Sequence, residues 1–235
     1  MIPEWLYFLF NPALLDRYGL KFIDGFIVTV ELVFIACSIG FFLGMLVTFA
    51  CLSDNKILQY CARAYVYFFR GSPLLAQLFL FYYGLGSMNN FWQQIGLWWF
   101  FKNAWYCCIF IFSLNSAAYQ SEIFKGSFLS VTTGQREASK ALGLSRPVTF
   151  FRIILPQAMV IALRPLGNEF ILMIKSSAVA SLVTVYDLMG VAKLTYSRTF
   201  DFQVYVWAAL IYLLIVMFIQ RFIVLIERRL TRYLQ

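Results

Sequence analysis

Two carboxylates, Glu31 and Glu169, stand inside long apolar runs, where an ionised acid is costly unless it faces a cavity or a cation. Either can pair an ammonium group. The competing roles are structural: a salt bridge of Glu169 with Arg70, Arg164 or Lys175, and a hydrogen bond of Glu31 near the end of its run. A second kind of chemistry is offered by Gly71-Ser72-Pro73, which interrupts another apolar run. A helix must loosen there, and the proline opening the next half-helix leaves N–H groups exposed at a positive dipole end, an arrangement that binds carboxylates. The same residues also serve as a plain kink between packed helices. Asn115 can hydrogen-bond a solute or a neighbouring helix. Catalytic chemistry finds little support. There is no histidine, and Cys37, Cys51, Cys61, Cys107 and Cys108 lack C-x-x-C spacing, so they read as small packing residues rather than metal ligands or a disulfide framework. No phosphate loop of the form G-x-x-x-x-G-K-[ST] occurs, and no nucleophile–base pair can be named. The expectation is a chain that is no enzyme alone and holds no cofactor or metal.

The elements that position these residues follow from composition. With 62% hydrophobic and 13% charged residues over 235 positions, too little polar surface exists to cover a soluble fold of this size, so the solvent is lipid. The net charge of +8 does not indicate nucleic acid, because the basic residues cluster between apolar runs. An all-α membrane protein of five transmembrane helices is expected, in roughly Gly25 to Leu52, Ala64 to Leu85, Ala104 to Tyr119, Gln157 to Ile174 with an apolar continuation to Leu188, and Phe202 to Leu225. The second is broken at Arg70-Gly71-Ser72-Pro73, the fourth at Pro165 and at Lys175-Ser176-Ser177. Basic residues set the orientation. With the C-terminus inside, the inner segments hold eleven (Lys56, Arg63, Lys125, Arg136, Lys140, Arg146, Arg152, Arg221, Arg228, Arg229, Arg232) and the outer segments five (Arg17, Lys21, Lys102, Lys193, Arg198). That asymmetry gives N-out, C-in. Trp92, Trp98, Trp99 and Trp105 then mark an amphipathic segment at the outer interface. Met1 to Trp5 lacks the basic region and cleavage site of a removable signal, so the first span is expected to target the chain.

The longest polar stretch, Ser121 to Arg152, contains a helix of its own. Thr132 or Thr133 can cap it, with Gln135 at capping-box spacing from Thr132. Gln135 to Leu142 favours helix, and Gly143 can take the left-handed conformation that ends it. Pro147 must lie outside, and Phe150 to Pro156 returns the chain to the bilayer.

Here the sequence resembles the permeases of ABC importers, whose signature of Glu-Ala-Ala, three residues, Gly, nine residues and Ile-x-Leu-Pro is met by Glu137-Ala138-Ser139, Gly143, Ile153 and Leu155-Pro156. Only Ser139 departs. More segments resemble the polar amino acid branch, in order: Phe69-Arg70-Gly71-Ser72-Pro73-Leu74-Leu75; Asn115, Ala118-Tyr119 and Glu122-Ile123; Gly134-Gln135 and Glu137-Ala138; Asn168, Phe170-Ile171, Lys175 and Ser177. The resemblance implies one permease domain over residues 1–235, multi-pass in the bacterial cytoplasmic (inner) membrane. Its coupling loop would span about 121–156 between spans three and four, where Arg136, Glu137, Ala138, Ser139, Lys140 and Gly143 meet an ATPase. It implies an ABC ATPase dimer that holds ATP and Mg, a second permease subunit, identical or paralogous, and a soluble substrate-binding protein. The cargo implied is a small amino acid of the histidine, arginine or opine type, contacted by Gly71, Ser72, Asn115, Glu169 and Glu31. An ion-coupled secondary transporter, with the two acids as proton or sodium carriers, is the rival class, and an ABC permease for another small solute the rival within the family.

Overall fold

A computed structural model describes residues 11–230 of the chain; the Met1 to Trp5 reading and Arg232 lie outside them. Every regular element among the described residues is helical. Helix α1 (Pro12–Cys51) starts at Asn11, whose side chain accepts from the Ala13 N–H, with Pro12 preset in the first turn. Its 40 residues span about 60 Å at helical rise. It therefore reaches well ahead of Gly25, through turns carrying Asp16, Arg17, Lys21 and Asp24. After a turn capped by Asn55, which accepts from Ile57 and Leu58, the broken second segment follows. It comprises α2 (Lys56–Gly71), then α3 (Leu74–Phe79) running on through a π turn at Leu80–Gly84 and a 3₁₀ turn at Leu85–Ser87. The break falls where the sequence places it. Ser72 and Pro73 are both extended, as the steric demand of proline on its predecessor requires.

Two short helices, α4 (Asn89–Gln94) and α5 (Trp98–Phe101), carry the tryptophan-rich segment, and Trp92 stacks on Phe101 with ring centroids 3.9 Å apart. Helix α6 (Ala104–Ser130) continues past Tyr119 through eleven residues that polarity alone marks as loop. Next come α7 (Thr133–Ala141), α8 (Arg146–Thr149) with a π turn at Phe150–Ile154, and α9 (Leu155–Ser176). Pro165 does not interrupt α9. Such prolines are tolerated in membrane helices, where local adjustments satisfy the freed carbonyl. The break expected at Lys175-Ser176-Ser177 is present: α9 ends at Ser176, and a 3₁₀ segment Ser177–Val183 follows and ends at left-handed Thr184. Helices α10 (Leu188–Thr199) and α11 (Gln203–Leu230) complete the fold.

The core forms around α6, which packs chiefly on α1 and also meets α2, α3 and α9. On α1, Gly40 and Gly44 form a Gly-x-x-x-Gly pair that lets the two backbones approach. A Cβ at Gly44 would stand 3.0 Å from the Ala117 carbonyl, and one at Gly40 3.0 Å from the Ser116 Cβ. Small residues on such a seam permit packing and polar bridges that apolar lipid cannot supply. Thr48 donates to the Ser121 carbonyl (3.0 Å) and Gln120 to that of Cys37 (3.1 Å). The runs Pro12–Cys51, Arg146–Val183 and Gln203–Leu230 are long and apolar enough to cross a membrane. Helix α11 leaves Leu213, Leu214, Phe218 and Phe222 exposed, an apolar face far beyond what a protein in water presents.

Candidate functional site

Three of the residues singled out in the sequence meet at the α2–α3 break. The break frees carbonyls that α2 can no longer satisfy, and side chains take their place. Asn115 on α6 donates to the Phe69 carbonyl (3.1 Å) and to Gln77 Oε1 (3.0 Å). Gln77 on α3 donates back to the Phe69 carbonyl (2.9 Å), the Ser72 carbonyl (3.0 Å) and Ser72 Oγ (2.8 Å). Ser72 in turn donates to the Phe68 carbonyl (2.7 Å), and Tyr65 to the Leu114 carbonyl (2.5 Å). Asn115 and Ser72 thus spend hydrogen bonds on holding the discontinuity against α6. Gln77, buried to 4% exposure, is the hub that sequence reasoning missed. A buried amide in an apolar run was its only signal. Gly71 is exposed, and a Cβ there would meet open space, so neither close packing nor a left-handed turn demands glycine.

Replacing Gln77 by Leu removes its bonds to Phe69, Ser72 and Asn115 together. With roughly 1–3 kcal/mol at stake for a buried polar group left unpaired, Gln77→Leu is expected to lower the thermal midpoint of the detergent-purified protein well below that of Ser72→Ala. Equal midpoints would contradict the hub.

Beside the break, a cavity of about 430 Å³ is lined by Arg63, Arg70, Gly71 and Glu122. Arg70 stands 4.0 Å from Glu122 and over the Tyr119 ring, and Lys125 pairs with Glu122 at 3.1 Å. Glu169 on α9 is buried and forms none of the ion pairs considered for it. Arg164 bonds Glu227 instead (2.9 Å), and no base lies within ion-pair distance of Glu169 among the described residues. Arg70 is the base whose charge reaches it. Glu31 is not brought to these residues. It is exposed and lines a separate open cavity with Lys102 and Tyr186.

The second site is α7. Thr133–Ala141 is helical as expected, but Thr132 makes no side-chain cap. Instead, the Gln135 N–H bonds the Thr132 backbone carbonyl at 3.2 Å, so the capping box is not formed. The other end follows the sequence closely. Gly143 is left-handed (φ 69°), and the Leu144 and Gly143 N–H groups reach the Ser139 and Lys140 carbonyls, each at 3.0 Å. This double bond pattern is the Schellman termination. Glu137, Ala138 and Lys140 are exposed, whereas Ser139 is buried and donates to the Gln135 carbonyl (2.6 Å). Arg136 bonds the Phe128 carbonyl at the end of α6 (3.0 Å), fixing α7 to the bundle. Leu142 is left 76% exposed at the tip. A rigid, exposed helix ending in a bare leucine suits capture by another protein.

Residues 40–232 match the family described as binding-protein-dependent transport system inner membrane components. The chain is 41% identical to the nopaline transport system permease protein NocM of Agrobacterium fabrum, covering 85% of this chain and 83% of that one. Identity is 36% with the arginine ABC transporter permease protein ArtM of Haemophilus influenzae, over 85% and 88%. Among solved structures, one titled as an amino acid ABC transporter with histidines superposes with a TM-score of 0.81 at 33% identity, over 92% of this chain and 96% of that one. The MetNI methionine ABC transporter shares the fold, with a TM-score of 0.75 at 18% identity over 92% and 99%. On the signature that runs from Glu137 to Pro156 and the length of chain matched, this protein belongs to the binding-protein-dependent transport system inner membrane components, the permease subunits of ABC importers, in which ATP hydrolysis is carried by a separate subunit.

Proposed function

We propose that the chain forms half of the translocation pathway of an importer for basic amino acids or opines, in the bacterial inner membrane, and that α7 is its coupling helix. Five crossings, N-out and C-in, would place α7 in the cytoplasm between the third and fourth. The observation that carries this reading is α7 itself, a Schellman-terminated helix presenting Glu137, Lys140 and Leu142 away from the bundle. The cargo class rests on relatives named for nopaline, octopine and arginine. A second permease subunit, identical or paralogous, completes the pathway. An ATPase dimer carrying ATP and Mg docks on the two α7 helices, and a soluble binding protein docks on the opposite face. ATP-driven closure of the ATPase dimer pulls the α7 helices together and tips the permeases outward, ready to receive cargo.

Orientation is tested by single cysteines at Asn90 and Gln235 in a chain whose five native cysteines are replaced. An impermeant maleimide added to intact cells is expected to label Asn90→Cys and spare Gln235→Cys. Labelling of Gln235→Cys from outside would overturn the assignment.

A further inference from the structure

The cavity that holds Glu31 lies apart from both the helix break and Glu169. It is open, with a volume of about 780 Å³, and its lining includes Glu31 from α1, Tyr82 beyond α3, Lys102 at the end of α5 and Trp105 at the start of α6, and Thr184 and Tyr186 from the segment of chain before α10. Four separate segments converge on it. Its walls are tied together rather than casually adjacent. Tyr83 donates to the Leu182 carbonyl (3.1 Å), holding the 3₁₀ segment to the α3 continuation, and the Leu188 N–H bonds Thr29 Oγ1 (2.9 Å), holding the start of α10 to α1. Between these two ties Thr184 is left-handed (φ 64°), an uncommon state for a β-branched residue, and such backbone strain gathers at functional sites.

The cavity presents both signs of charge. The carboxylate of Glu31 and the ammonium of Lys102 each make no ion pair among the described residues, although both face this space. The start of α6 adds to the positive side: only its Trp105 N–H is capped, by Asn103 (3.0 Å), and a helix of 27 residues directs its positive end there. Around these charges stand the rings of Tyr82, Trp105 and Tyr186, whose faces accept a cation or an apolar stem. The combination fits one chemistry, a zwitterion with a cationic tail. The volume is within the range of small-molecule pockets.

We infer that this cavity receives the α-amino acid cargo. Lys102 and the α6 N-terminus take its carboxylate, Glu31 takes its ammonium, and the aromatic rings take the side chain. The inference rests on the amino acid reading above and adds a first station on the path, distinct from Glu169. In the proposed orientation this is the outer end, where a binding protein releases its load.

The test uses the complete complex of permease, ATPase and binding protein in proteoliposomes, with uptake of radiolabelled L-arginine measured as binding protein is raised to saturation. Glu31→Gln and Lys102→Met are each expected to lower the maximal rate about tenfold, the scale of losing a hydrogen bond to a charged group. Glu31→Asp and Lys102→Arg, which keep the charges, are expected to retain at least about half of it. Three results overturn the inference while leaving the cargo reading intact: neutral variants at the wild-type rate, conservative variants as slow as the neutral ones, or a loss confined to the half-saturating concentration of binding protein, which assigns the residues to docking. A wild-type complex that takes up none of arginine, octopine and nopaline would strike the cargo reading itself.

Discussion

Gly143→Asp is expected to abolish ATP-driven uptake while the permease remains folded and in the membrane. Two facts separate folding from coupling at this position. The backbone is left-handed (φ 69°), and a Cβ added there meets no atom of the chain within 4 Å. The internal cost is therefore conformational, about 1–2 kcal/mol for a non-glycine residue in that region. The larger effect is expected on the partner, because a carboxylate beside Leu142 would intrude on the surface proposed to meet the ATPase. Gly143→Ala serves as the control, carrying the backbone cost without the charge. Uptake is expected to fall at least about a hundredfold for Asp, as loss of a buried contact of some 3 kcal/mol implies, and far less for Ala. Affinity purification should recover ATPase with Ala and little with Asp. Normal transport by Gly143→Asp with ATPase bound would remove α7 from the coupling role.

The second large effect is expected at Glu169. Its carboxylate is buried to 7% exposure without an ion pair among the described residues, so a passing cation finds a strong partner in low dielectric. Glu169→Gln keeps the volume and removes the charge. Transport of arginine, lysine or histidine at saturating binding protein is expected to slow by about a hundredfold, since breaking a buried charge pair costs roughly 3–5 kcal/mol. Assembly and docking should be unchanged. The alternative is a structural partnership with Arg70, whose charge reaches Glu169. In that case the variant loses thermal stability and transport of every substrate alike. Wild-type uptake of a basic amino acid by a stable Glu169→Gln complex rules out the cargo role.

How far the sequence speaks depends on whether its signals are local. The end of α7 was legible because a left-handed glycine after a helix is a one-residue demand. The α2–α3 break was legible because proline constrains its neighbour. The length of α6 was not. Gln120, Ser121 and Ser127 make its second half look soluble, yet all three are buried. Their polar groups bond within the structure, as when Gln120 reaches Cys37 and Ser121 the Ala118 carbonyl, and hydropathy cannot see such partners. Gln77 was hidden for the same reason, since its role depends on Asn115, 38 residues away. The two acids looked alike in sequence because each lies in an apolar run. Tertiary packing separates them, one in an open cavity with Lys102 and the other buried beside Phe170.

The most direct test of the account is the energy source for uptake by the reconstituted complex. Radiolabelled arginine, octopine or nopaline should accumulate in proteoliposomes only when ATPase, ATP and binding protein are all present, and a proton uncoupler should leave the rate unchanged. Uptake that proceeds without the ATPase and collapses on adding the uncoupler would contradict it, and would return Glu31 and Glu169 to the role of ion carriers.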